Sequence, residues 1–224
     1  MSHLAELLKN VEVFQHLTDV QREDLARLAT RRSLRKDEII CRQEDHWPFM
    51  VYIAHGRLRS MINAPDGRSY VVSTWEKGEV FWAHTVFDEG PMPSTLEAAD
   101  TTNIYQWEGE KALQVVLRNP DAIRALLRRQ TRLIRKRRES IYNLAFSPVA
   151  SRLAKLIVDR FFVSDQPTVQ RDMTLVEMAE MVASSPEVVC RLLYQFQAAG
   201  VISISRASIT LHNRQALENL ILGN

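Results

Sequence analysis

The segment from Met173 to Leu211 constrains the fold most, because one of its helices has two faces of different chemistry. Ser185-Pro186 predicts the start of that helix, since a Ser hydroxyl can cap a free backbone N–H and Pro suits the first helical position. Gly200 predicts its end in a left-handed conformation. Apolar residues at helical spacing predict one buried stripe: Val189, Leu192, Leu193 and Phe196. On the opposite side lies what we call the outward stripe: Glu187, Cys190, Arg191 and Tyr194.

A shorter helix precedes it, because Thr174 and Glu177 have the spacing of a capping box. The link from Val182 to Pro186 is long enough only for a tight turn. After the second helix, two short strand candidates predict a β-hairpin with Arg206 in its turn; they are Val201–Ile204 and Ser208–Leu211.

Helix, tight turn, helix and wing is an arrangement that reads DNA. The outward stripe suits this role, because Arg can bond two acceptors on guanine and Glu can accept from cytosine. The competing interpretation is a helical hairpin with a solvated polar face. It explains the capping, but not Glu187 and Arg191 one turn apart with a β-hairpin directly after them.

The N-terminal half predicts a sheet, because the hydrophobic period is two from Ser33 to about Tyr105 and turn signals interrupt it. The strand candidates are Ile39–Ile40, Met50–Ile53, Arg57–Ile62, Tyr70–Thr74 and Asn103–Gln106. Short antiparallel strands at this spacing are typical of a barrel or jelly roll. Such a barrel is either a plain scaffold or a container for a small ligand.

A long helix begins near Pro120, and its apolar residues recur in alternating steps of four and three, as in a two-stranded coiled coil. The predicted seam contains Ile123, Leu127, Gln130, Ile134, Arg137, Ile141 and Leu144. Its two polar members, Gln130 and Arg137, either fix the register or, in the case of Arg137, face an anionic effector near the dimer axis. The predicted fold is therefore α+β, with an antiparallel β-roll sensor domain (1–118), a dimerisation helix (119–146) and a winged helix-turn-helix (147–224).

With these parts in this order, the chain resembles the CRP/FNR family of bacterial transcription regulators over nearly its whole length. The motifs that carry the resemblance are Val51–Leu58, Lys77–Phe81, Phe87–Gly90, Asn119–Asp121, Asn143–Phe146, Arg152–Ala154, Ser185–Leu193, Gly200–Ile202 and Ser208–Leu211. The resemblance implies a homodimer on double-stranded DNA, with RNA polymerase as a further partner of an activator. It also implies that Glu187 and Arg191 read a G·C pair in a TGA-type half-site. The expected DNA-contacting residues are Ser185, Pro186, Glu187, Cys190, Arg191, Tyr194, Thr174 and Arg206.

The sensor half departs from the cyclic-nucleotide binders of the family, which hold the ribose with Gly-Glu and the phosphate with Arg-Ser. By resemblance, Ala83 replaces the ribose carboxylate, and Pro93 replaces the guanidinium beside Ser94. Arg137-Arg138 replaces the Thr-Ser pair of the long helix. A buried phosphate without its cation is costly, so we expect an effector other than cyclic AMP, or constitutive activity. The effector-pocket candidates are Trp82, Ala83, His84, Pro93, Ser94, Gln130, Arg137 and Arg138.

Two alternatives concern gas or redox sensing. His84 lies close to the ligand His of the family's haem-containing carbon-monoxide sensors, but Trp82 stands where those proteins have a neighbouring Cys. A hydrogen-bonded core histidine is the simpler interpretation, and we expect no cofactor. Cys190 on the DNA face would allow a response to oxidants; otherwise it is a plain small residue.

Other classes of protein find little support. The six His residues have no HxH or HxxxH spacing, and no GxSxG, P-loop or GxGxxG motif occurs, so neither catalytic nor metal-binding residues are expected. The two cysteines, Cys41 and Cys190, form no CxxC pair. A small-molecule-binding barrel without a DNA function remains the alternative from a different class. No leader sequence or long apolar run is evident, which predicts a cytoplasmic protein without a membrane partner.

Overall fold

The computed structural model describes residues 1–162 and 166–222. The chain forms two compact units: residues 1–62 with 72–135, and residues 63–71 with those described from 136 onward. The helices of the first unit are α1 (His3–Leu8), α2 (Asp19–Leu28), α3 (Thr85–Asp88) and α4 (Gly109–Leu117). The strands are β1 (Thr30–Leu34), β2 (Ile39–Cys41), β3 (Phe49–His55), β4 (Leu58–Asn63), β5 (Ser69–Trp75), β6 (Val80–Trp82), β7 (Thr95–Ala98) and β8 (Thr102–Glu108).

These strands form two four-stranded sheets in the orders β1-β8-β3-β6 and β2-β7-β4-β5. The pairs β1–β8, β3–β8, β3–β6, β2–β7 and β4–β7 are antiparallel. Alternate residues of β3 are buried on opposite faces of its sheet. Met50 and Tyr52 pack with the helices, whereas Val51 and Ile53 belong to the core between the sheets. The antiparallel β-roll predicted from the sequence is thus confirmed.

Three strands and two helices of this unit were not among the sequence candidates: β1, β6, β7, α3 and α4. All residues of Val80–Trp82 and Thr95–Ala98 are buried. Strands buried on both faces lack the apolar–polar alternation by which strands are recognised, which is why β6 and β7 escaped prediction.

The long helix α5 spans Pro120–Phe146 and starts where the sequence predicted. The Asn119 side chain caps it by accepting hydrogen bonds from the N–H groups of Asp121 (3.0 Å) and Ala122 (3.1 Å). One face is buried within the first unit at Ala122, Ala125 and Leu126. The predicted seam lies on another face: Leu127, Ile134 and Ile141 are 62%, 69% and 66% exposed.

The second unit contains α6 (Val149–Phe161), β9 (Thr168–Gln170), α7 (Leu175–Met181), α8 (Pro186–Ala198), β10 (Ile202–Ile204), β11 (Ser208–Leu211) and α9 (Arg214–Leu222). The strands form a three-stranded sheet in the order β10-β11-β9. The predicted wing is therefore a hairpin with a third strand, β9, that the sequence did not reveal. A separate core holds these elements together, with Leu153, Ile157, Met178, Val189 and Leu193 at its centre.

Among the described residues, none of the helices is both long enough and apolar enough to cross a membrane.

Candidate nucleic-acid interface

The caps predicted for the two helices of the helix-turn-helix are present. Thr174 Oγ1 accepts from the Glu177 N–H (3.1 Å), and the Glu177 carboxylate accepts from the Thr174 N–H (2.7 Å), which completes the capping box of α7. Ser185 Oγ accepts from the Val188 N–H (3.4 Å) at the start of α8. Gly200 follows α8 with φ +69°. Both hydroxyls offered as DNA contacts therefore already cap a helix.

The turn between α7 and α8 is as tight as the sequence required. Ala183 has φ +50°, a left-handed conformation that is rare outside glycine. Just after it, the Ser184 N–H donates to the Ala179 carbonyl (3.0 Å). This geometry reverses the chain within a few residues and brings the start of α8 close to the end of α7.

Helix α8 has the two faces that its sequence predicts. Val189, Leu193 and Phe196 are buried, and Leu192 is partly buried. On the other side, Glu187 and Arg191 are exposed, Cys190 is half-buried, and Tyr194 is 65% exposed. The whole outward stripe lines one shallow concavity, which Gln195 and Ala198 extend. These last two residues were not predicted, although they continue the same helical face.

The charge of the outward stripe is suited to base recognition. The Ser185 side chain hydrogen-bonds to Glu187 and lowers the pKa of its carboxyl. Glu187 is therefore ionised at neutral pH and acts as an acceptor, while Arg191 one turn further on supplies only donors. The Arg191 guanidinium can donate to guanine, and the Glu187 carboxylate can accept from cytosine, so this exposed face matches the two bases of a G·C pair.

The wing is joined to α8 by side chains that sequence reasoning did not single out. Gln197 Oε1 accepts from the Ile204 N–H of β10 (3.1 Å). Arg171 Nη1 donates to the Ser205 carbonyl (3.3 Å) and its Nε donates to the Met173 carbonyl (2.9 Å). These bonds hold the turn that carries the exposed Arg206. Because each of these bonds joins a side chain to a backbone atom, no residue pattern in the sequence predicts it.

The effector-pocket candidates of the barrel lie in different environments. Trp82 belongs to the core under the helices, whereas its neighbour Ala83 is fully buried in the core between the sheets. Pro93 is exposed, and Ser94 is buried with its hydroxyl 2.5 Å from that of Ser60. His84 is exposed as well, so the interpretation of His84 as a core residue is wrong.

The candidates on the long helix differ in exposure. Gln130 and Arg137 are half-buried, and Arg138 is exposed. Burial lowers the pKa of Arg137, and the phenol of Tyr70 opposes that shift. Tyr70 lies in the β4–β5 hairpin segment, residues 63–71, which belongs to the same compact unit as Arg137. Arg137 is therefore partly shielded within the chain itself.

No metal centre is assembled from the described residues, since they contain no group of three or more His, Cys, Asp or Glu able to hold an ion. Cys41 and Cys190 are both free thiols.

Comparison with known proteins identifies two domains in the chain. Residues 31–119 match the model of the cyclic nucleotide-binding domain, and residues 149–220 match the Crp-like helix-turn-helix domain. The CRP-like cAMP-activated global transcriptional regulator of Mycobacterium tuberculosis is 25% identical over 170 residues, 74% of this chain and 76% of that protein. The cAMP-activated global transcriptional regulator CRP of Salmonella typhimurium is 25% identical over 168 residues, 73% and 80% of the two chains.

A likeness in fold extends to solved structures. FixK2 from Bradyrhizobium japonicum superposes with a TM-score of 0.71 at 24% identity and covers 86% of this chain and 96% of its own. The two domain matches follow one another along the chain, and the helix-turn-helix carries the exposed Glu187–Arg191 face. The chain belongs to the CRP/FNR family of transcription regulators and has a Crp-like helix-turn-helix DNA-binding domain.

Proposed function

We propose that the protein is a bacterial, cytoplasmic transcription regulator that binds a palindromic TGA-type site as a homodimer and does not respond to cyclic AMP. The observation that carries the proposal is the outward stripe of α8. Glu187, Cys190, Arg191 and Tyr194 share one open face of a helix whose other face is fixed in the domain core. A helix held in this way presents its side chains to a major groove without losing its own packing.

The sequence preference follows from two side chains. The Arg191 guanidinium can donate to both O6 and N7 of guanine, and the Glu187 carboxylate can accept from N4 of cytosine. The two residues lie one helical turn apart on the exposed face, so they reach neighbouring positions in one groove. Arg206 on the wing supplies a cation for a phosphate beside the half-site, a contact that positions the domain without reading sequence.

The dimer is supported by the exposed stripe of α5. Leu127, Ile134 and Ile141 are each more than half exposed in the protomer and recur every seven residues, and Leu144 continues the line. An apolar stripe of this spacing on a long helix is the seam of a two-stranded coiled coil. Two-fold symmetry then places the two copies of α8, the recognition helix, on half-sites about one helical turn apart, roughly 34 Å.

The insensitivity to cyclic AMP rests on the barrel. By the resemblance, the cyclic-nucleotide binders of the family have a carboxylate and a guanidinium where this chain has Ala83, buried among apolar side chains, and the exposed Pro93. The Ser94 hydroxyl is already paired with Ser60. Aromatic rings occupy the same core, with Trp75 and Phe81 at 4.7 Å between ring centroids. A cyclic phosphate there would be an anion without a cation.

The test is selection of binding sites from random duplexes by the purified protein without added ligand. Fluorescence anisotropy on the selected and a scrambled duplex then follows at stated salt, with and without cyclic AMP. We expect a TGA-containing palindrome, tighter binding to it than to the scrambled duplex, and no change on adding cyclic AMP. If the selection enriches no site, either in buffer or with cell extract added, the proposal that the protein binds specific DNA is overturned. A nucleotide-dependent gain in affinity would overturn the effector part alone.

A further inference from the structure

Arg152, near the start of α6, donates to backbone carbonyls from two different helix ends. Its Nη1 lies 2.5 Å from the Ser147 carbonyl, directly after the end of α5. Its Nε lies 3.0 Å from the carbonyl of Val182, the C-cap residue directly after α7. One guanidinium thus joins the end of the long helix to the helix-turn-helix.

The chemistry of helix ends favours a cation at this place. The last carbonyl groups of a helix have no intrahelical partner and carry the negative end of the helix dipole. The planar guanidinium can bond two acceptors at once in fixed directions, which a lysine ammonium does not do in the same way. Burial lowers the pKa of Arg152, while the nearby Tyr70 phenol opposes that shift.

The anchored carbonyl stands just before the recognition helix. Val182 is followed by Ala183 in its left-handed conformation and then by Ser185, which caps α8. Glu187 of the outward stripe lies in the first turn of α8. Because only the short turn separates them, the position of Val182 sets where α8 begins and in which direction it points.

We propose that Arg152 is a positioning residue that fixes the recognition helix relative to the end of the long helix, and so holds it ready for specific DNA. The consequence for DNA rests on the proposed function, whereas the anchoring itself does not. Arg152 lies outside the outward stripe and touches backbone only in these two bonds, so its effect on DNA is indirect.

The experiment compares Arg152→Ala, Arg152→Lys and a matched control, Arg160→Ala. Arg160 is on the same helix and pairs with Asp172 at 2.6 Å, away from the α7–α8 turn. Hydrogen–deuterium exchange is followed across the whole chain, and anisotropy gives the affinity for the selected and the scrambled duplex. Thermal unfolding checks that each variant is folded.

We expect Arg152→Ala to speed exchange in the peptides covering 143–147 and 182–188 by about tenfold, since a hydrogen bond to a charged group is lost at each end. Exchange elsewhere stays unchanged. If Arg152 only stabilised the fold as a whole, exchange would instead rise throughout the domain. Affinity for the specific duplex falls by about tenfold because fewer molecules hold the binding-competent geometry. Affinity for the scrambled duplex stays the same, and so does the dependence of affinity on salt concentration. Arg152→Lys lies between, and Arg160→Ala matches wild type.

Unchanged exchange at the turn in folded Arg152→Ala would overturn the anchoring, and faster exchange with unchanged specific affinity would overturn the positioning role. If the alanine variant does not fold, the lysine variant decides by the same criteria. Should wild-type protein show no preference for any duplex, the proposed function fails, and the exchange comparison still decides whether Arg152 holds the turn.

Discussion

Replacing Ile134 by Ala should weaken the proposed homodimer without destabilising the single chain. Ile134 is at the centre of the exposed stripe of α5, where its side chain has few partners within one chain. Alanine is a better helix former than isoleucine, so the helix itself should persist. Any loss should therefore appear in association rather than in folding.

The magnitude follows from the exposed fraction. Ile134 is 69% exposed in the protomer, and fully burying an isoleucine contributes about 1.5–3 kcal/mol. About two thirds of that, ~1–2 kcal/mol, is gained by each protomer when the seam closes. Symmetry doubles the effect to ~2–4 kcal/mol, which raises the dimer dissociation constant by roughly 30- to 1,000-fold.

Sedimentation equilibrium over a range of protein concentrations measures this constant directly. The matched control is Val20→Ala, since Val20 is 71% exposed but lies on α2, away from the seam. A shift of less than threefold for Ile134→Ala, or an equal shift for both variants, would refute the coiled-coil seam.

Three further predictions concern single positions. Ala183→Gly should stabilise the protein by about 1 kcal/mol, because glycine adopts φ +50° without the strain of a Cβ; thermal unfolding measures it, and a lower midpoint would contradict the strain. Gly56→Ala should destabilise by more than about 2 kcal/mol in urea titration, since the new Cβ would lie 2.5 Å from an Asp100 oxygen at φ +81°; a near-neutral effect would show that the turn relaxes. Burial raises the pKa of Cys41 to about 12. At pH 8 an aromatic disulfide reagent should therefore react only with Cys190 in the native protein, and with both thiols after denaturation. Native stability should decline as the pH rises above about 9, because only the unfolded thiol ionises there; two fast-reacting native thiols would contradict the buried state.

The sequence predicts most where local chemistry decides structure. The capping box at Thr174, the Ser185 cap and the two faces of α8 follow from short-range rules, and the structure shows all of them. The predicted seam of α5 is equally local in origin: Leu127, Ile134 and Ile141 are exposed in the single chain, and their pairing with a second chain stays a prediction.

It predicts less where tertiary packing decides. Strands β6 and β7 are buried on both faces and so lack a period-two signal. Trp82 and Ala83 are adjacent in sequence, yet they belong to different cores because neighbours on a strand point to opposite faces. Arg152 belongs to a motif that carries the family resemblance, but its contacts were not predicted because its partners are backbone carbonyls, which every residue carries.

A double-mutant cycle between Arg191 and the guanine assigned to it tests most directly whether α8 reads the proposed half-site. Wild type and Arg191→Ala are titrated against the selected duplex and against the same duplex with that G·C pair changed to A·T in both half-sites. We expect Arg191→Ala to cost about 1–3 kcal/mol of binding free energy per half-site on the selected duplex and little on the changed one. An equal loss on both duplexes, or no loss on either, would contradict recognition of that base pair by Arg191.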